Sequence, residues 1–196
     1  MMLKLTSFTI IVYFVSLYIN LVNSAQSVYN LGPNTATVNT GSHVCKNGQS
    51  TEVTLSVDAV LNAKSSTRTS FGSNFDNRMT VLDKVAGDHK GHILASAVGG
   101  PAVEWNLAPQ ADNLNKKYRC RTSILNVWYD CEKWIREQLD SGSNLPVRVR
   151  ITLDYENRNC RPTHWSIDAH STDGRGCTAQ RINNGPLPLG ACQGSG

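Results

Sequence analysis

Between Gly87 and Lys116 the chain brings together residue types able to hydrolyse a phosphate ester: His92, the carboxamides of Asn106, Gln110 and Asn115, and the basic side chains of Lys90 and Lys116. An imidazole titrates near neutral pH and can take a proton from water without a large pKa shift. A carboxamide oxygen is a hard, neutral donor suited to Mg2+, which keeps most of its octahedral positions for water and phosphate oxygens. Lysine and arginine attract the phosphate itself. Lys116, Lys117, Arg119 and Arg121 form a basic run just beyond Asn115. Such a run serves either to track a nucleic-acid backbone or simply as a solvated face. His92 likewise has a purely structural alternative, packing or hydrogen-bonding within a sheet, and Asn115 has one as a helix cap.

The spacing sharpens the reading. Lys90-Gly91-His92, then Asn106 to Gln110 in the run WNLAPQ, then Leu114-Asn115 five residues after that glutamine resemble the core of the non-specific DNA/RNA endonucleases of the ββα-metal type. Further matches are Tyr155, Arg161-Pro162, Trp165 to Ala169 and Asp173-Gly174, so the likeness runs from about Val53 to Asp173. The resemblance implies that His92 is the general base and Asn115 the direct Mg2+ ligand, with Mn2+ or Ca2+ as substitutes. It implies that Asn106 and Gln110 hold the loop and the metal-binding segment in register. DNA and RNA would both be substrates, cut to leave 5′ phosphates.

The chain departs from this family in three places. The aspartate expected three residues before the base is His89, with Asp88 one place earlier; its orienting role passes to Asp88 or is absent. Lys90 stands where an arginine is usual, keeping a point charge but losing the bidentate fork. The glutamate expected eight residues after the metal asparagine is Ser123, and Glu132 is its replacement, since Trp128 and Glu132 resemble the family's helix. These departures keep a second class open: a nuclease fold that binds nucleic acid, or acts as a toxin-like secreted protein, with the chemistry weakened or lost.

The elements that must position these residues are readable in outline. Residues Met1 to Ser24 carry one charge, Lys4, ahead of an apolar run from Phe8 to Ile19 and small or polar residues, the pattern of a signal peptide. Secretion without a membrane anchor is the expectation, and oligomeric state is open. Counting all residues the net charge is +4; without Lys4 it is +3, from 18 basic and 15 acidic side chains. That permits approach to a polyanion without demanding one. Six cysteines in an oxidising route favour disulfides over zinc, because no pair has C-x2-C to C-x4-C spacing; the pairing is open among fifteen possibilities.

Residues 25–44, rich in Asn, Thr and Gly, read as an extended or loosely attached arm, and 45–196 as a single nuclease-like domain. Val53 to Ala59 alternate as a strand, Lys64 to Asn77 read as loop, and Met79 to Val85 as a short strand. Ile124, Trp128, Cys131, Ile135 and Leu139 share one face of an amphipathic helix ending near Gly142. Val147 to Tyr155 and Trp165 to Ala169 form a hairpin, followed by an irregular tail from Gly174 held by Cys177 and Cys192. The fold expected is α+β: an antiparallel sheet with a ββα-metal motif and a long amphipathic helix, stabilised by disulfides.

Overall fold

The computed structural model describes residues 24–117 and 127–185. Six strands form one antiparallel sheet in the order β1-β2-β3-β6-β7-β8, and two short strands, β4 and β5, form a separate ribbon. The large sheet comprises β1 (Ser24–Leu31), β2 (Asn34–Val44), β3 (Ser50–Leu61), β6 (Val147–Asp154), β7 (His164–His170) and β8 (Gly176–Asn183). The ribbon pairs β4 (His89–His92) with β5 (Leu107–Gln110), and the helices are α1 (Asp76–Val81), α2 (Asp112–Asn115) and α3 (Val127–Ser141).

Alternation explains the sheet. In β6, Val147, Val149, Ile151 and Leu153 are buried while Arg148 and Arg150 face solvent, and β7 pairs with it in register from Arg148↔His170 to Asp154↔His164. One sheet face is covered by α3, which buries Trp128, Cys131, Ile135 and Leu139 against Val57, Val149, Ile151 and Ile167. Trp128 and Trp165 meet edge to face with centroids 5.5 Å apart, an arrangement worth about 1 kcal/mol beyond its area. The ribbon joins the same core through Ile93, Leu94 and Ala108. A second cluster of Val53, Met79, Leu82 and Leu107 surrounds the Cys45–Cys160 disulfide.

Three expectations need correction. The stretch 25–44 is no loose arm: it forms β1 and β2, paired without a break from Ser24↔Gly41 to Leu31↔Asn34. Its strand signal is diluted because the inward positions of β2 are Asn34, Ala36 and Val38, one of them polar. Met79 to Val85 is no strand. Met79 and Leu82 are buried three residues apart, one helical turn, and α1 occupies Asp76–Val81. From Gly176 to Asn183 the supposed irregular tail is β8, paired with β7 and pinned by a disulfide from Cys177 to Cys131.

Cys120, Cys192, Ile124 and the expected signal peptide up to Asn23 lie outside the described residues. Among the described residues no helix is long and apolar enough to cross a membrane. The zinc alternative finds no support at Cys45, Asp83 and Cys160, which cluster closely, because both sulfurs are consumed in a disulfide.

Candidate active site

The connection between β4 and β5 is built around one side chain. Asn106 is fully buried, and its carboxamide accepts from Leu94 N at 2.7 Å and donates to Leu94 O at 3.0 Å and Pro101 O at 2.9 Å. Its own carbonyl takes the N–H of Ile93 at 2.9 Å. Asn106 thus satisfies a buried loop that would otherwise strand polar backbone groups. Gly100 is required in that loop, since a Cβ there would lie 1.8 Å from Leu94 O. Gly91 lets Gln110 pack across the ribbon, where a Cβ would sit 2.5 Å from Gln110 Cβ. The register role expected of Asn106 and Gln110 has this physical form.

A cleft of about 270 Å³ opens beside the ribbon, lined by His92, Gln110 and Asn115 on one side and Tyr129, Glu132 and Arg136 of α3 on the other, with Arg68 at its edge. His92 comes from the last position of β4 and lies against Phe71, centroid to centroid 4.3 Å. Burial pushes its pKa down to about 4, so the ring is neutral at pH 7. Its Nε2 is buried without a hydrogen-bond partner.

Asn115 ends α2 with an exposed side chain. The N-cap of α2 is Ala111, and whether Asn115 caps a following helix falls on residues 118–126, outside the described ones. Asn115 Nδ2 lies 3.2 Å from Nδ1 of His89, and His89 Nε2 lies 2.7 Å from Asp112 Oδ1. Glu132 accepts from Trp128 Nε1 at 3.0 Å, one helical turn away. Burial pushes the Glu132 carboxyl up to about 7, against the opposing pull of the Trp128 hydrogen bond and the positive charges of Arg136 and Arg68.

Other expected residues lie elsewhere. Asp88 is 2% exposed and holds Arg161 in a two-pronged pair, Nη2 to Oδ1 at 2.6 Å and Nε to Oδ2 at 2.7 Å. Oδ2 also takes the N–H of Val85. With both oxygens engaged, Asp88 anchors the motif to the β6–β7 connection and does not orient the base. Lys90 is turned away to Asp76 Oδ1 at 2.7 Å and Gly72 O at 2.7 Å; it does not line the cleft. Lys116 pairs with Asp112 at 2.8 Å, and Arg119 lies outside the described residues.

The cations that do line the cleft are Arg68 and Arg136. Arg136 stands four residues after Glu132 on the same helix and lies over the Tyr129 ring, 5.6 Å from its centroid, with Lys117 at 5.5 Å. That i, i+4 step was a usable signal. Arg68 had none, because it comes from the loop between β3 and α1. Its neighbour Thr69 fixes that loop, with N to Ser96 Oγ at 2.7 Å and Oγ1 to Gly100 O at 3.2 Å. Asn184 was also missed: it accepts from Ala111 N and donates to Pro109 O and Pro162 O, clamping the start of α2 to the main sheet.

The family model described as DNA/RNA non-specific endonuclease matches residues 33–173. Two type VII secretion system proteins named EssD, from Staphylococcus aureus strains USA300 and NCTC 8325, are each 27% identical over 86 residues, covering 44% of this chain and 13% of theirs. The chain therefore matches only a small part of the length of these curated relatives. A solved structure, Sda1 nuclease with bound zinc ion, aligns over 82% of this chain and 84% of its own at 13% identity and TM-score 0.43.

Proposed function

The chain belongs to the DNA/RNA non-specific endonuclease family, and from that premise we propose that it is a secreted, metal-dependent phosphodiesterase cutting DNA and RNA to leave 5′ phosphates. The observation that carries this reading is the convergence of His92, Asn115 and Glu132 on one cleft beside Arg68 and Arg136. Neutral His92 receives the proton of the attacking water. Arg68 and Arg136 offset the charge that grows on the phosphoryl oxygens.

The donors fit a hard, hydrated divalent ion of the Mg2+ type. Asn115 and Glu132 offer oxygen, and among the described residues no cysteine lines the cleft. A carboxyl pushed up to about 7 by burial is a group whose ionised form a nearby cation would relieve. Asn115 would hold the ion directly and Glu132 through water. When bound, the ion supplies positive charge at the phosphoryl and departing oxygens. Lys90 drops out as a phosphate contact, since Asp76 and Gly72 occupy it. Contacts of this kind read backbone rather than bases, which accounts for tolerance of both sugars and of sequence.

Secretion follows from the apolar leader and from the disulfides Cys45–Cys160 and Cys131–Cys177, which persist in oxidising surroundings. The test is plasmid and RNA degradation by purified protein with Mg2+ and with EDTA. His92→Ala should lose on the order of 10³-fold in rate, the scale of a lost general base, while circular dichroism stays unchanged. Undiminished cutting by that variant would remove His92 as the base. Nucleic-acid binding with no cleavage by the intact chain would leave the binding-only class standing.

A further inference from the structure

A carboxamide offers a cation its oxygen only when its orientation is fixed, because its two ends are nearly the same shape and differ in carrying a donor or an acceptor. Asn115 is exposed at the end of a four-residue helix, so packing alone does not decide which end faces the cleft. The decision comes from a chain of contacts. Asp112 Oδ1 lies 2.7 Å from Nε2 of His89 and 2.8 Å from Nζ of Lys116. On the other side of the ring, Nδ1 lies 3.2 Å from Nδ2 of Asn115.

Donor and acceptor logic then runs in one direction. An amide N–H only donates, so Nδ1 of His89, 3.2 Å from Nδ2 of Asn115, is the accepting nitrogen, and the ring hydrogen sits on Nε2, the side that faces the Asp112 carboxylate. Nδ1 becomes a lone pair, and the amide N–H of Asn115 is the end that satisfies it. The oxygen of Asn115 is left for the cleft. We infer that His89, steadied by Asp112, is a positioning residue that fixes the carboxamide of Asn115 with its oxygen presented to a divalent cation. This rests on the reading of Asn115 as metal ligand.

The inference gives His89 a purpose where the family resemblance led to the expectation of an aspartate. Both residue types put an acceptor beside the amide nitrogen. Imidazole does so without a negative charge of its own, and the charge sits one step back on Asp112. The orientation of Asn115 is thereby set by an imidazole in this chain.

Two shorter replacements separate the two ends of the ring. His89→Asn keeps an oxygen acceptor near the position of Nδ1; His89→Gln reaches toward Asp112 but leaves nothing for Asn115. Mn2+ titration of metal-free protein by calorimetry should show affinity falling about tenfold in His89→Gln, the low end for losing a supporting partner of a ligand, and recovering to within about threefold in His89→Asn. In metal-free protein, the side-chain amide protons of Asn115 should lose their hydrogen-bond shift in His89→Gln alone. Equal affinities in wild type and His89→Gln, or equal losses in both variants with the Asn115 amide signals unmoved, would overturn the positioning role. Mn2+ affinity unchanged in Asn115→Ala would bring down the ligand reading itself, and with it the purpose assigned to His89. Affinity lost in Asn115→Ala beside an unaltered His89→Gln would bring down the positioning role alone.

Discussion

The two walls of the cleft are secured by different physics. The ribbon wall, which carries His92 and leads to Asn115, is held by the hydrogen bonds of neutral amides: Asn106 across the β4–β5 connection and Asn184, from far along the chain, at the entry to α2. The α3 wall, which carries Tyr129, Glu132 and Arg136, is held by apolar burial of Trp128, Ile135 and Leu139 and by one covalent link, Cys131–Cys177. That link sits on the residue next to Glu132. The first wall is a set of fixed hydrogen bonds with one solution. The second is a helix on a greasy surface, able to slide or turn unless something pins it.

Breaking each wall should therefore look different. The largest effect is expected for Asn106→Ala, which leaves the buried N–H of Leu94 and the carbonyls of Leu94 and Pro101 without their partner. At about 1–3 kcal/mol for each stranded group, the loss is about 3 kcal/mol or more, seen as a lowered denaturant midpoint together with lost activity. An unchanged midpoint would mean that the loop does not depend on that side chain. Replacing the pair, Cys131→Ala with Cys177→Ala, should cost about 2–4 kcal/mol. Here activity should fall with metal affinity at temperatures where the protein is still folded. If stability drops with no change in metal affinity at all, the link has no bearing on Glu132.

The smallest effect sharpens the comparison through charge. Burial raises the Glu132 pKa from 4.5 to about 7. Its contribution to stability is fully present below pH 4.5 and is lost as pH rises through about 7. His92 behaves oppositely, since its pKa falls from 6.5 to about 4: its contribution is present above pH 6.5 and is lost as pH falls through about 4. In EDTA, Glu132→Gln should thus raise the melting temperature at pH 8 and leave it unchanged at pH 4. A variant equally stabilised at both values would show that the carboxylate is not strained by burial. With metal present, wild-type affinity should decline roughly tenfold per pH unit below about 7, as one proton competes with one cation.

The contrast between walls also explains what could be read from the sequence. The ribbon wall was legible because its residues, from His92 to Asn115, fall within one short stretch with a recognisable spacing. Glu132 was legible through the Trp128 step, which the structure realises as a hydrogen bond. Arg136 needed only one more turn of the same helix. Arg68 was out of reach, since nothing local ties the loop after β3 to the cleft. Asp88 and Lys90 were misread for a related reason: each has a motif position, but Arg161 and Asp76, distant in sequence or in an unrecognised helix, claim them. In the fold, strands of strong alternation such as β6 were plain, whereas β2 and β8 carry small or polar residues on their inward faces and lost their period.

The sheet order has a consequence for the life of the chain. Strands β3 and β6 are neighbours, joined from Leu61↔Val147 to Ser56↔Thr152, so everything that lines the cleft lies within a single excursion between them. The first three strands form a meander with near-neighbour pairing, able to assemble as soon as they emerge. The excursion cannot close until β6 arrives and completes the surface against which α3 lies. A growing polypeptide thus carries His92 and Asn115 well before the scaffold that gathers them into one cleft has been made.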